Sequence, residues 1–131
     1  GFFSRHLRSR YAAVTGIEEN EFAISHARSL AEPHERYYAG PVEEHLPAVL
    51  ADAGPEATVI LDPPAAGVSA RVIDTLTAAR PREIAYVSCN PATLARDLNV
   101  LCRSYRLESV TPLDMFPQTA EIEAIAHLVP A

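Results

Sequence analysis

Residues 84 to 95 constrain this chain more than any other stretch: Ile-Ala-Tyr-Val-Ser-Cys-Asn-Pro-Ala-Thr-Leu-Ala. Ile84 to Val87 is a short apolar run that reads as a buried strand. It stops at Ser88-Cys89-Asn90-Pro91, and a helical pattern follows in which Leu94, Leu98, Leu101 and Cys102 recur on one face. Asn90 is a favoured N-cap, and Pro91 suits the first helical position, where its missing N–H is no loss. Cys89 is thereby set at the handover from strand to helix, just outside the helix N-terminus, where unpaired N–H groups and the dipole stabilise an anion. In open α/β sheets ligands bind beyond the carboxyl ends of the strands, which is where this thiol falls. Two readings of Cys89 stand on these grounds, a nucleophile and a small buried hydrophobe. Cys102 reads as core, and the two cysteines with no histidine at ligand spacing make no metal site.

The chain has 131 residues and 48% hydrophobic composition, enough for one domain with a real core. No apolar run reaches membrane-spanning length, no secretory leader pattern opens the sequence, and two cysteines do not make a disulfide framework. The expected setting is therefore cytoplasmic. The net charge is −6 and every basic side chain other than His is Arg. That balance argues against this segment alone gripping a phosphate backbone. Gly1-Phe2-Phe3-Ser4 reads as the interior of a longer polypeptide.

Strand and helix alternate along the chain. A short helix is expected over 3–9 and a strand from Tyr11 to Ile17, ending in Gly16-Ile17-Glu18. A helix follows from Asn20, with Ala23, Ala27, Leu30 and Ala31 on one face and Pro33 as its stop. Arg36 to Ala39 reads as a brief strand. Val42, Leu46, Val49 and Leu50 mark a helix that contains Pro47. Thr58 to Leu61 is a central strand ending in Asp62-Pro63-Pro64. Ser69 caps a helix with Val72, Leu76 and Ala79 inward, before the Cys89 strand and helix. Two apolar runs, Leu107 to Leu113 and Ile122 to Val129, then close the sheet as an antiparallel pair. The fold class is α/β with a mostly parallel sheet.

Three chemically active groups thus fall at strand ends: Glu18, Asp62 and Cys89. An acidic residue ending the second strand of a doubly wound sheet commonly accepts ribose hydroxyls, although a strand-end carboxylate can simply be solvated. Pro63 and Pro64 hold the chain extended and aim Asp62 beyond the strand edge, with an ordinary turn as the competing reading.

These residues resemble the RNA uracil-5-methyltransferases, which use S-adenosylmethionine to make 5-methyluridine in tRNA or rRNA. Leu61-Asp62-Pro63-Pro64 with Gly67 is similar to that family's Asp-Pro-Pro-Arg-x-Gly motif. Ser88 to Leu98 resembles its nucleophile signature almost unbroken. Asp114-Met115-Phe116-Pro117-Gln118-Thr119, with Ile122-Glu123, is similar to its closing motif. The resemblance covers nearly the whole chain in the family's order.

The resemblance implies a Rossmann-like methyltransferase sheet and one truncated catalytic domain over residues 1–131, with the first strand and an N-terminal barrel absent from this chain. It implies that Gly1 and Phe2 end the glycine-rich cofactor loop, and that Glu18 and Asp62 bind S-adenosylmethionine. Cys89 would be the nucleophile and Glu123 the general base, with no metal. RNA would be bound through the full-length protein, and a second copy or a preceding segment would cover the exposed sheet edge. The isolated chain is expected to methylate RNA at no useful rate.

The implied chemistry needs these residue types. Uracil C5 attacks a methyl sulfonium only after something adds at C6, and a thiolate can add there. A base must then take the C5 proton, a task suited to a partly desolvated carboxylate such as one opening an apolar strand. Without the motif, Glu123 reads as a solvent-facing strand residue. The target base must be unpaired or flipped to reach Cys89.

The sequence departs from the family pattern at Ala65, where Arg is usual, at Glu121, where His is usual, and at Gly40-Pro41-Val42, where an acidic residue is expected. Two alternatives remain open on the sequence. An amino-group methyltransferase of DNA or protein also places two prolines after an acidic or amide residue, and a methyltransferase-like binding module would be non-catalytic.

Overall fold

The computed structural model describes residues 2–115, 117, 118 and 122–131 and, of Phe2, the backbone alone. The chain divides into two compact units, residues 1–49 and 50–131.

In the first unit α1 (Phe2–Leu7) leads to β1 (Val14–Glu18), α2 (Glu21–Ser29) and β2 (Glu35–Ala39). β1 and β2 pair in parallel from Val14 opposite Glu35 to Glu18 opposite Ala39. A parallel pair needs a crossover, and α2 supplies it. Its start is fixed by Asn20, whose side chain accepts the Ala23 N–H at 3.0 Å. Gly16 lies under the Tyr37 ring, where an added Cβ would meet Cδ1 at 2.7 Å, so only glycine lets the strands and ring pack this closely. The face expected for α2 is corrected by the structure. Its buried residue is Ile24, whereas Ala23 and Leu30 are exposed. Alanine methyls bury too little area to turn a helix against the pull of one Ile.

α3 (Val42–Ala53) runs across the division of the chain, with Leu46 and Leu50 buried, and it continues through Pro47. The second unit then holds β3 (Thr58–Leu61), α4 (Ala70–Ala79), β4 (Glu83–Ser88), α5 (Pro91–Leu101), β5 (Tyr105–Leu113) and β6 (Glu123–Pro130). These strands form a second sheet in the order β3-β4-β6-β5. β3 and β4 are parallel, while β6 is inserted antiparallel to both β4 and β5. The parallel helix-linked strands and the antiparallel closing pair are those expected from the sequence, drawn as two sheets among the described residues.

The core of the second unit follows from period-2 alternation. On β6, Ala124, Ala126 and Leu128 are buried, and they sit opposite Ser88, Tyr86 and Ile84 of β4. Opposed residues share a sheet face, so one apolar surface forms from both strands. Val72, Ile73 and Leu76 of α4 and Leu94 and Leu101 of α5 are also buried. Ile73 takes the inward place expected of Ala79, which is exposed. Cys102 is exposed, not core, and the inward stripe of α5 runs through Asp97 instead.

Candidate active site

The strand ends bring three of the expected groups to one end of the second sheet. β3 and β4 run parallel and their last pair is Leu61 with Tyr86, so Asp62 leaves β3 level with the close of β4. β6 runs the other way, and its last pair with β4 is Ala124 with Ser88. Cys89, in the bend that follows Ser88, and Glu123, the first residue of β6, lie at the same end of these two strands. Asp62, Cys89 and Glu123 therefore belong to three neighbouring strands and to the same end of them. Asp62 and Cys89 are exposed, while Glu123 is half-buried at the mouth of an apolar strand.

Local hydrogen bonds hold Cys89 at the tip of a tight turn. The Ser88 hydroxyl accepts the Asn90 N–H at 3.1 Å and donates to the Asn90 carbonyl at 3.0 Å. Asn90 in turn caps α5, its Oδ1 accepting from Ala92 N at 3.0 Å and Thr93 N at 3.4 Å. With both flanking residues anchored, the thiol is presented at the helix N-terminus by a short, over-determined turn. The sequence placed it there.

A network the sequence reading missed lies behind this turn. Asp97 is 1% exposed. Its Oδ2 accepts the Tyr86 hydroxyl at 2.6 Å and the Val68 N–H at 3.0 Å. Its Oδ1 accepts from Arg96, at 2.9 Å from Nε and 2.7 Å from Nη2. Burial, and then the Asp97 carboxyl group, push the Tyr86 hydroxyl above its ordinary pKa, so it remains a donor. The same side of α5 holds the loop after Asp62. Asn90 Nδ2 and Thr93 Oγ1 donate to the Ala65 carbonyl at 3.2 and 2.9 Å, and Arg96 Nη2 donates to the Ala66 carbonyl at 2.9 Å. The signal for this was available: Asn90, Thr93 and Asp97 recur at three- and four-residue steps, a polar stripe beside the apolar one.

Gly67 lets that loop come so close. Its φ is +79°, and an added Cβ would collide with Asp97 Oδ2 and lie 2.7 Å from Arg96 Nη2.

In the first unit, Glu18 ends β1 exposed, with Oε1 accepting the Asn20 N–H at 2.9 Å and its own carbonyl accepting the Gly40 N–H at 3.0 Å. Phe2 begins α1. Gly1 lies outside the described residues, as do Phe116, Thr119, Ala120 and Glu121 of the closing motif and its surroundings. Among the described residues no helix is long and apolar enough to cross a membrane.

The class is an α/β fold of helix-linked parallel strands with an antiparallel closing pair, and comparison with known proteins narrows it. Residues 44–129 match the family described as tRNA (uracil-5-)-methyltransferase. The 23S rRNA (uracil(1939)-C(5))-methyltransferase RlmD of Thiobacillus denitrificans is 40% identical over 96% of this chain and 31% of its own length. An uncharacterised RNA methyltransferase of Protochlamydia amoebophila is 41% identical over 98% of this chain and 31% of its own. The crystal structure of Pyrococcus abyssi tRNA (uracil-54, C5)-methyltransferase, in complex with S-adenosyl-L-homocysteine, superposes with a TM-score of 0.80 at 36% identity, covering 98% of this chain and 32% of that one. The chain belongs to the tRNA (uracil-5-)-methyltransferase family, and it spans about a third of the length of these relatives.

Proposed function

We propose that this chain is the larger part of the catalytic domain of a longer cytoplasmic enzyme that transfers a methyl group from S-adenosylmethionine to C5 of a uridine in tRNA or rRNA. The observation that supports the reading is that β4 and β6 are antiparallel neighbours, so that the thiol-bearing turn after β4 and the half-buried carboxylate that opens β6 belong to the same end of the sheet. Family membership supplies the substrate class.

The residues present fit the cofactor in part. Glu18 is exposed at a strand end with one oxygen anchored on Asn20 N–H, an arrangement that suits a ribose hydroxyl at the other oxygen. Asp62 is exposed at the end of β3, where the cofactor and the target base would meet. Gly1 and Phe2 would contribute the close of the cofactor loop. When bound, S-adenosylmethionine supplies an electrophilic methyl group.

The chain's own residues carry the remaining steps. The Cys89 sulfur adds to C6 of the uracil, forming a C–S bond and moving the C5–C6 electron pair towards C5 and O4. The electron pair at C5 then forms a bond to the methyl group, whose bond to the donor's sulfur would break to leave a neutral thioether. Glu123, on the opposite strand, removes the C5 proton; the released pair re-forms the C5–C6 double bond and expels the Cys89 thiolate. Glu123 opens an apolar strand, so water is kept from one side of it. RNA would be held chiefly by surface outside this acidic segment.

The test is to incubate the full-length enzyme with S-adenosylmethionine and RNA containing 5-fluorouridine, then seek a covalent adduct by mass spectrometry. Fluorine at C5 cannot leave as a proton, so elimination stalls and the RNA should stay bonded to the Cys89 peptide. Cofactor binding without an adduct would sink the covalent mechanism and favour amino-group chemistry. Neither binding nor adduct would leave a non-catalytic module.

A further inference from the structure

We propose that Arg96, locked onto Asp97, is a positioning residue for uridine methylation: it ties the loop that begins at Asp62 to α5, the helix that follows Cys89. This rests on the function proposed above and adds to it the element that sets the two strand ends in mutual register.

Among the described residues the Asp62 side chain makes no hydrogen bond or ion pair, so its place is set by the loop it heads. Pro63 and Pro64 stiffen the start of that loop, and Gly67 N–H closes a turn onto the Pro64 carbonyl at 2.9 Å. The rest of the loop has backbone groups to satisfy, and α5 satisfies them. The Ala65 carbonyl is taken by Asn90 and Thr93, the Ala66 carbonyl by Arg96, and the Val68 N–H by Asp97. Asn90 also caps α5 beside Cys89, so the helix that presents the thiol is the helix that grips the loop.

Within this set Arg96 is distinctive. Its side chain is 56% exposed while that of its partner Asp97 is 2% exposed. Solvent screens the exposed guanidinium, while the Asp97 carboxyl group it meets is buried and keeps the Tyr86 and Val68 donors besides. The forked guanidinium nevertheless spans two acceptors, the Asp97 carboxyl group and the Ala66 carbonyl, in a geometry a flexible ammonium would not fix. An arrangement this specific in direction is suited to holding a loop in place. A displacement of about 1 Å in a reacting constellation can cost on the order of 100-fold in rate.

The experiment uses the full-length enzyme with Arg96→Ala, and with Arg106→Ala as a surface control on β5. Two readouts are taken. Hydrogen exchange at the Ala66, Gly67 and Val68 amides reports the tether itself. Steady-state methylation of unmodified tRNA and 23S rRNA transcripts reports its consequence. The expected result for R96A is faster exchange confined to that loop, with kcat lower by about 10- to 100-fold. KM for S-adenosylmethionine should stay within about twofold, and guanidinium ion at non-denaturing concentration should restore part of the rate. R106A should match the parent. Unchanged exchange, an unchanged kcat, or a loss confined to KM would overturn the proposal. Should R96A not fold, Arg96→Lys retains the charge without the fork and should show the same fall in kcat; a fully active R96K overturns it equally. A parent enzyme that methylates neither transcript strikes the proposed function, while exchange in the same samples still reports whether the tether exists.

Discussion

The Tyr86 hydroxyl donates to Asp97 Oδ2 at 2.6 Å, joining the centre of β4 to α5 across the core of the second unit. Both residues are fully buried, Tyr86 at 0% and Asp97 at 1% exposure. Asp97 also takes the Val68 N–H, so one carboxyl group satisfies a strand side chain and a loop amide together. Removing a buried acceptor strands its donors, which costs more than the bond was worth. Asp97→Ala is therefore expected to destabilise the fold by about 3 kcal/mol or more. Tyr86→Phe, which removes one donor and keeps the ring, should cost about 1–2 kcal/mol. Urea unfolding of both variants and the double mutant checks this, and additive single losses would show that the pair is not coupled.

The same bond gives the fold an alkaline dependence. Burial, followed by the hydrogen bond and charge of Asp97, raises Tyr86 above its ordinary pKa of 10.0. A raised folded-state value means that the stability contributed is complete below the unfolded value of 10 and declines as the pH climbs towards the folded one. Tyr37 and Tyr105 are raised as well, chiefly by burial, so the wild-type slope is shared. Melting temperature followed from about pH 8 to pH 11 should fall more steeply in the parent than in Tyr86→Phe. Equal slopes would remove Tyr86 from the account.

Gly67 should tolerate no side chain. At φ +79° an L-residue is strained by about 1–2 kcal/mol, and here the new methyl would also displace the Asp97 carboxyl group and Arg96 Nη2. Gly67→Ala is expected to lose roughly 2–4 kcal/mol, more than Gly54→Ala, where φ is +74° but the space is open. Comparing the two by thermal unfolding separates backbone strain from collision. Similar losses would mean the loop moves aside and its contact with α5 is soft.

Much of this was legible in the sequence because it was local. The strand-to-helix handover at Ser88-Cys89-Asn90-Pro91 is written in a breaker, a cap and a proline at the first helical position, and those act within a few residues. The closing antiparallel pair followed from two apolar runs with no helix between them. What escaped depended on tertiary partners. Asp97 sits among leucines and would be assigned to solvent, because nothing nearby in sequence announces that Tyr86 and Val68 will come to it. Apolar spacing alone points Cys102 to the core, whereas it is the C-cap just past the last residue of α5 and is exposed. That the turn after β4 and the start of β6 share one end of the sheet is a matter of strand order and register, and the bulge between Leu107 and Ser109 in the neighbouring strand shows that register cannot be counted from strand lengths.

Register also separates the roles proposed for the two residues at the end of β4 and β6. If Glu123 removes the C5 proton, its loss should stop the reaction after methyl transfer, not before it. Glu123→Gln keeps the size and the half-buried place of the side chain but cannot accept a proton. With ordinary uridine-containing RNA, the full-length E123Q enzyme should accumulate a methylated adduct on Cys89 that survives denaturing electrophoresis, while turnover falls by about 100-fold or more. Cys89→Ala should form no adduct, and because Cys89 is exposed its fold should be unaffected. The double variant should resemble Cys89→Ala, since a base has nothing to resolve where no bond has formed. An E123Q enzyme that turns over freely without trapped RNA would assign the proton to another group at this edge, with Asp62, on the far side of β4, the next to replace.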